Sequence, residues 1–326
     1  MNEGKIRELR LTCDAGLEPT LAPVDSFVFT ARVLELQLAT FWRVHSPVVG
    51  SAYDPITAQQ SYETFCTEFL PTVPPIFALQ PDTRWDGHRP LLPRQRQIFH
   101  VAIFEWFCYK FRPILFEERS QIRNLPGYKQ VLVMSQKRGL AASALFVLEG
   151  VSALHIMMGG THTRFPGIIS PAFEAAVLLL CLCSDRNFPE YEKGMAGEVS
   201  LATNQTHPLA LREASVTRNE CMQAVRGALA RLQTLAVISD MAGVGARNLA
   251  RLLENLEQTN SLSGAGGLST IASESAVQLQ EAWSHLELPG YFEVDALSGT
   301  MPSAQSSALL NWEDLATHWT GNMQLP

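Results

Sequence analysis

Charge is scarce in this chain. Only 17% of its 326 residues are charged, against 46% that are hydrophobic. Disorder throughout is excluded, because a chain this apolar can bury enough surface to fold as one large domain or two. Positive charge stops altogether at Arg251. Beyond it stand nine acids, Glu254, Glu257, Glu274, Glu281, Glu287, Glu293, Asp295, Glu313 and Asp314, with no Lys or Arg. The part up to Arg251 carries all 25 basic residues against 23 acids and is close to neutral. A neutral body with an acidic tail is not the footprint of a nucleic-acid-binding domain, so no direct DNA contact is expected of this chain. It fits a body whose tail touches proteins. The six cysteines, Cys13, Cys66, Cys108, Cys181, Cys183 and Cys221, lack paired spacing. They read as reduced thiols of an intracellular protein. The N-terminal stretch has no apolar signal core, so secretion is not expected, and the sequon Asn204-Gln205-Thr206 meets no glycosylating compartment. The longest apolar run, Ala175 to Cys183, is shorter than the roughly 20 residues a bilayer crossing needs, and no membrane contact is expected. No segment alternates as a strand does, and no fixed repeat occurs. The class that remains is all-α.

Helical patterns are plentiful. Phe27, Ala31, Leu34, Leu38 and Phe41 form one face of a helix from about Asp25 to His45. A shorter helix covers Thr57 to Phe69 and stops at Pro71. The Pro-rich stretch Pro71 to Pro93 reads as a loop laid along the surface. Three apolar blocks follow: Arg96 to Leu115, Gly139 to Met158 and Ala172 to Cys183. The first is apolar on nearly every side over Ile98 to Phe111, as in a helix buried all round. The second carries the stripe Leu140, Ala144, Val147, Val151, Leu154 and Met158, has a thin side at Gly139, Ala141, Ala142 and Ser143, and ends at Gly159-Gly160. The third is expected to start with Ser170 as a cap and Pro171 in its first turn. These blocks predict one core around Phe104, Leu148 and Leu178. After a polar loop, Glu190 to Pro208, come two amphipathic helices. One carries Met222, Val225, Leu229, Leu232 and Ala236, the other Leu249, Leu252 and Leu256. Thr259 to Thr270 is a Ser/Gly linker. The organisation expected is an N-terminal segment (1–22), a multi-helix bundle (23–258), and a linker with an acidic, weakly structured tail (259–326).

Chemical motifs are few. Cys181 and Cys183 lie two apart on a helix and point about 200° from each other, so they cannot grip one ion. His155 and His162 flank Gly159-Gly160, but a histidine at a helix C-terminus is more often a capping group than a ligand. No nucleophile elbow and no His-Glu-x-x-His occurs. Gly264-Ala265-Gly266-Gly267 lacks the Lys-Ser/Thr of a phosphate loop. Neither metal, cofactor nor catalytic residue is assigned, and the chain is not read as an enzyme. Arg112, just before Pro113, is read as a structural clamp. Proline disfavours helical geometry at the preceding residue, and a cation there meets the negative end of the helix dipole. In the tail, Leu309, Leu310, Trp312, Leu315 and Trp319 stand among acids. Such segments fold as short helices in partner grooves, or else pack back as inert termini.

Taken in order, these features resemble the regulatory domain, or middle homology region, of fungal binuclear-zinc-cluster transcription factors. Phe111-Arg112-Pro113-Ile114-Leu115 stands where the family has His-Arg-Pro-apolar-apolar. Gly139 to His155 matches its helix of small residues, and Ala172 to Leu179 its Ala-Phe-x-Ala-Ala-x-Leu-Leu helix. Cys221 to Ser239 and Ala246 to Leu256 match its leucine-spaced helices, and Asn311-Trp312-Glu313-Asp314-Leu315 its acidic-aromatic ending. The resemblance covers roughly Ser26 to Leu256. Two departures matter. No Cys-x2-Cys-x6-Cys cluster stands in this sequence, and the earlier Leu-Gly-Leu-His-Arg and Arg-Arg-x-Trp stretches are missing. Only the later part of the domain is matched, as expected of a fragment or a short gene product. The resemblance implies a nuclear regulatory module that binds transcription machinery or co-regulator proteins. It admits a small effector and a homodimer, and it implies control of a metabolic pathway, including specialised metabolism. The rival reading is a helical small-molecule binder or enzyme with a pocket between the central helices. A third is the remnant of a truncated gene.

Overall fold

The computed structural model describes residues 26–45, 53–117, 119–160, 166–185, 188–189 and 208–262. Among the described residues every regular element is helical and no strand occurs. We label the α-helices α1 (Ser26–His45), α2 (Pro55–Thr64), α3 (Leu92–Phe111), α4 (Arg119–Asn124), α5 (Gly127–Met157), α6 (Ile169–Ser184), α7 (Ala210–Ser215), α8 (Arg218–Leu235) and α9 (Asp240–Leu262).

The first three helices build an aromatic half of the core. On α1, Ala31, Leu34, Leu38 and Trp42 turn inward. Asp54 caps α2 by accepting a hydrogen bond from the Thr57 backbone N–H at 3.1 Å, and Pro55 presets the first turn. The chain then widens into a π-turn, Phe65–Phe69, and tightens into a 3₁₀ turn, Leu70–Thr72, as Pro71 ends regular pairing. This places Phe65 flat on Trp42, with centroids 5.2 Å apart, and edge-on to Phe107 of α3 at 5.0 Å. Trp106 of α3 also stacks on Trp42, with ring centres 5.3 Å apart. Each such pair adds about 0.5–1.5 kcal/mol beyond its buried area.

The other half of the core is aliphatic. α5 packs against α3 on one side and α6 on the other, and α8 and α9 close over α6. Phe104, Leu148 and Leu178 are all buried. α3 and α5 come close at Gly150, where a Cβ would lie 2.6 Å from Val101 Cγ2. α5 then stops where Gly159 and Gly160 take positive φ values of 92° and 60°. Among the described residues α5 alone is long and apolar enough to cross a bilayer, yet most of that window is buried among neighbouring helices, as in a core helix.

Several expectations are corrected. α3 is not buried all round, since Tyr109 stands 55% exposed. Its first turn takes in Leu92 and Pro93, so the Pro-rich loop ends at Leu91. That loop is held from below. Arg96 is buried, forks onto Asp86 at 2.7 and 3.2 Å, and donates to the Ile76 carbonyl at 2.7 Å. α5 starts twelve residues before Gly139, because Gln136 is buried by bonding the Pro55 carbonyl and the Tyr53 hydroxyl. Ser170 does not cap α6. It lies within the first turn and its hydroxyl donates to Glu174 Oε1 at 2.9 Å. The buried stripe of α8 is Cys221, Val225, Ala228, Leu232 and Leu235, with Met222, Leu229 and Ala236 on its flanks. On α9, Leu249 is buried, but Leu253 rather than Leu252 or Leu256 completes the inner face. α9 also runs to Leu262, so the linker expected from Thr259 begins as helix. The short helices α4 and α7, six residues each, carry no periodic signal and were not expected.

Candidate functional site

Two helical stripes, one at the end of α3 and one on α6, border the same space. Glu105, Cys108 and Tyr109 of α3, and Arg112 just past its end, follow one another at steps of three, one and three. Pro171, Glu174, Ala175 and Leu178 do the same on α6. Those steps keep all four side chains of each set on one face. With Val147 of α5 they line a partly open cavity of about 30 Å³. Such a volume admits a water molecule or two and no metabolite.

The cavity is electrostatically loaded. Burial pushes the Glu105 carboxyl up to about 8, and the neighbouring Glu174 charge pushes it the same way. Burial also raises Glu174, opposed by the hydrogen bond from Ser170 and by the charge of Arg112. Near neutral pH Glu105 therefore favours its protonated form. The thiol of Cys108 is raised by burial and by both carboxyls. It is no nucleophile in this setting. The stripe thus arranges two acids raised by burial and one guanidinium around a space for water. It offers a proton-holding, hydrogen-bonding seam between α3 and α6, with no nucleophile–base pair.

Arg112 itself keeps right-handed helical geometry (φ −50°, ψ −39°) in spite of Pro113, and the chain continues as a 3₁₀ turn, Arg112–Leu115. The α-helix ends at Phe111, as expected beside this proline, but it does so by tightening into the 3₁₀ turn and not through extended backbone at Arg112. The half-buried guanidinium lies over the Tyr109 ring, 5.1 Å from its centre. Lys110, two residues earlier and buried, also ties the end of α3 to α1, its Nζ donating to the His45 carbonyl at 3.3 Å. A lone lysine in an apolar helix was the one signal available for it.

Elsewhere, Cys181 is half-buried and Cys183 buried on α6. Cys183 meets Cys221 of α8, whose S–H is the first cause of its lowered pKa. Among the described residues no group of three or more His, Cys, Asp or Glu is placed to hold a metal ion. His155 lies in the last turn of α5. His162, the Gly264–Gly267 run and the tail residues Leu309, Leu310, Trp312, Leu315 and Trp319 lie outside the described residues.

No protein-family profile matches the chain, and no solved structure does. Two curated proteins match it. It is 38% identical over 327 aligned residues to "Transcription factor xilB" of Penicillium rubens, covering 94% of this chain and 47% of that protein. It is 34% identical over 268 residues to "Probable transcription factor sol4" of Alternaria solani, covering 79% of this chain and 47% of that protein. The chain spans about half the length of these relatives.

Proposed function

We propose that this chain, a fungal transcription factor region over most of its length, is an all-helical regulatory module that acts in the nucleus by contacting transcription machinery or co-regulator proteins. The observation that carries the reading is identity of 38% along 94% of the chain to a protein named as a transcription factor. The order of α3, α5 and α6, with their Arg112-Pro113, small-residue and Ala-Phe-x-Ala-Ala sequences, supports it. The pathway proposed for its control is a metabolic one, including specialised metabolism. A small effector binding at this seam would have to part α3 from α6, because the cavity there has room only for water. That size gives no support to the rival reading of an enzyme or metabolite binder. The apolar anchors Leu309, Leu310, Trp312, Leu315 and Trp319 are proposed as the protein-binding part of the tail, with its acids steering toward a basic partner.

The test is a reporter assay in a fungal host, with the full chain fused to an unrelated DNA-binding domain. Reporter output should differ from that of the unfused domain, and replacing Trp312 and Trp319 by Ala should shrink the difference. Output equal to the unfused domain would sink the reading.

A further inference from the structure

One end of the bundle collects the last turn of α5, the first turn of α6, and the turn between α8 and α9. Gly245 of α9 sits against α6 and α8 there. A Cβ on it would lie 3.5 Å from Phe173 Cδ2 and 3.8 Å from Leu232 Cδ1. His155 at the end of α5 feels the charge of Arg231 near the end of α8.

Five large apolar side chains stand exposed at this end: Ile156 and Met157 on α5, Val237 and Ile238 in the turn, and Val244 on α9. Val237 is 86% exposed and Ile156 75%. Scattered singly, such residues need no explanation, but gathered together they mark a contact surface. The charges beside them are unusual in the same place. Arg226, further back on α8, is held by Glu257 at 3.0 Å, and Arg212 is held by Glu149 and Glu220. Arg231 is half-buried, and among the described residues no carboxylate reaches it; desolvation alone lowers its pKa. Arg247, one turn beyond Val244, is exposed and has no carboxylate partner among the described residues either. The Nε2 of His155 is buried with no hydrogen-bond partner. The one acid of the adjoining first turn of α9, Asp240, is exposed. A half-desolvated guanidinium without a counter-ion is a cost that an incoming carboxylate removes.

We propose that this end of the bundle is a docking surface for an acidic amphipathic helix of a partner protein, its apolar face covering Ile156, Met157, Val237 and Ile238 and its carboxylates pairing with Arg231 and Arg247. The inference does not depend on a role in transcription. A second copy of this chain fits less well, because the same end of a copy would bring two arginines against two.

Two labelled helical peptides test it by fluorescence anisotropy on the full chain. One has Leu on one face and Glu on the other, and its control has every Glu changed to Lys. The Glu peptide should bind in the micromolar range and weaken with added salt, as expected for a transient helix-in-groove contact with paired charges. Arg247→Glu and Val237→Asp should each weaken it about tenfold or more, with unchanged circular dichroism. Both sites are exposed, so the variants should fold. Equal binding of the two peptides, no binding of either, or unchanged affinity in both variants would overturn the proposal. So would a self-association that Val237→Asp abolishes, which assigns the surface to a second copy. Binding to phosphatidylserine vesicles in place of the Glu peptide would overturn it too, by assigning the surface to lipid.

Discussion

Replacing Glu105 by Gln should make this protein more stable, and more so as pH rises. The Glu105 carboxyl titrates near 8 in the folded chain instead of 4.5, chiefly through burial and then through Glu174. Between those values the folded state holds a proton that the unfolded chain has released. Stability therefore falls as pH rises from about 4.5 to about 8 and levels off above. A displacement of about 3.5 units, at about 1.4 kcal/mol each, sets a ceiling near 5 kcal/mol. Glu105 remains partly exposed at a cavity with room for water, and the screening there reduces the expected effect to about 1–2 kcal/mol. Glu174, raised by burial, and Glu213, pushed up to about 7 by burial, slope the same way. The difference between variant and parent isolates Glu105. Urea unfolding followed by circular dichroism should show Glu105→Gln ahead by about 1–2 kcal/mol above pH 8, the gap narrowing toward pH 4.5. Parallel stability curves for variant and parent across that range would refute the buried-acid account.

Other outcomes follow from the same contacts. Leu178→Ala should cost about 2–4 kcal/mol in urea unfolding, since the side chain is 3% exposed and already borders the cavity. Arg112→Ala should lower the thermal midpoint by an amount equivalent to about 1 kcal/mol, through loss of the Tyr109 stack and of a positive charge near Glu174. A midpoint equal to the parent's would mean the guanidinium is merely solvated. Metal analysis of the purified chain should find no stoichiometric zinc, because no six-cysteine ligand set stands in the sequence. Two zinc ions per chain would defeat that expectation.

The long helices were legible because their apolar residues recur at 3.6-residue spacing, as in Ala31, Leu34 and Leu38 of α1. The candidate site was only partly so. Cys108 and Arg112, and Ala175 and Leu178, lie on visible helical faces, but nothing local says that Glu105 and Glu174 meet. An acid within an apolar helix reads as the solvated side until a neighbour covers it. The first turns of α5 escaped notice for the same reason. Gln136 is polar by type, and it is buried only because Pro55 and Tyr53, some eighty residues away, satisfy its amide.

The helical class, the stop at Gly159-Gly160 and the acidic final segment without basic residues were written in the sequence alone, since each rests on propensity, backbone geometry or composition within a few neighbours. Packing between distant helices chose which polar groups are desolvated: the Glu105–Glu174 pair, the Arg96 fork, Lys110 of α3 against the end of α1, and Arg231 with no carboxylate in reach among the described residues. Burial of a charged group depends on the helix packed over it, and that partner is chosen by contacts remote in the chain.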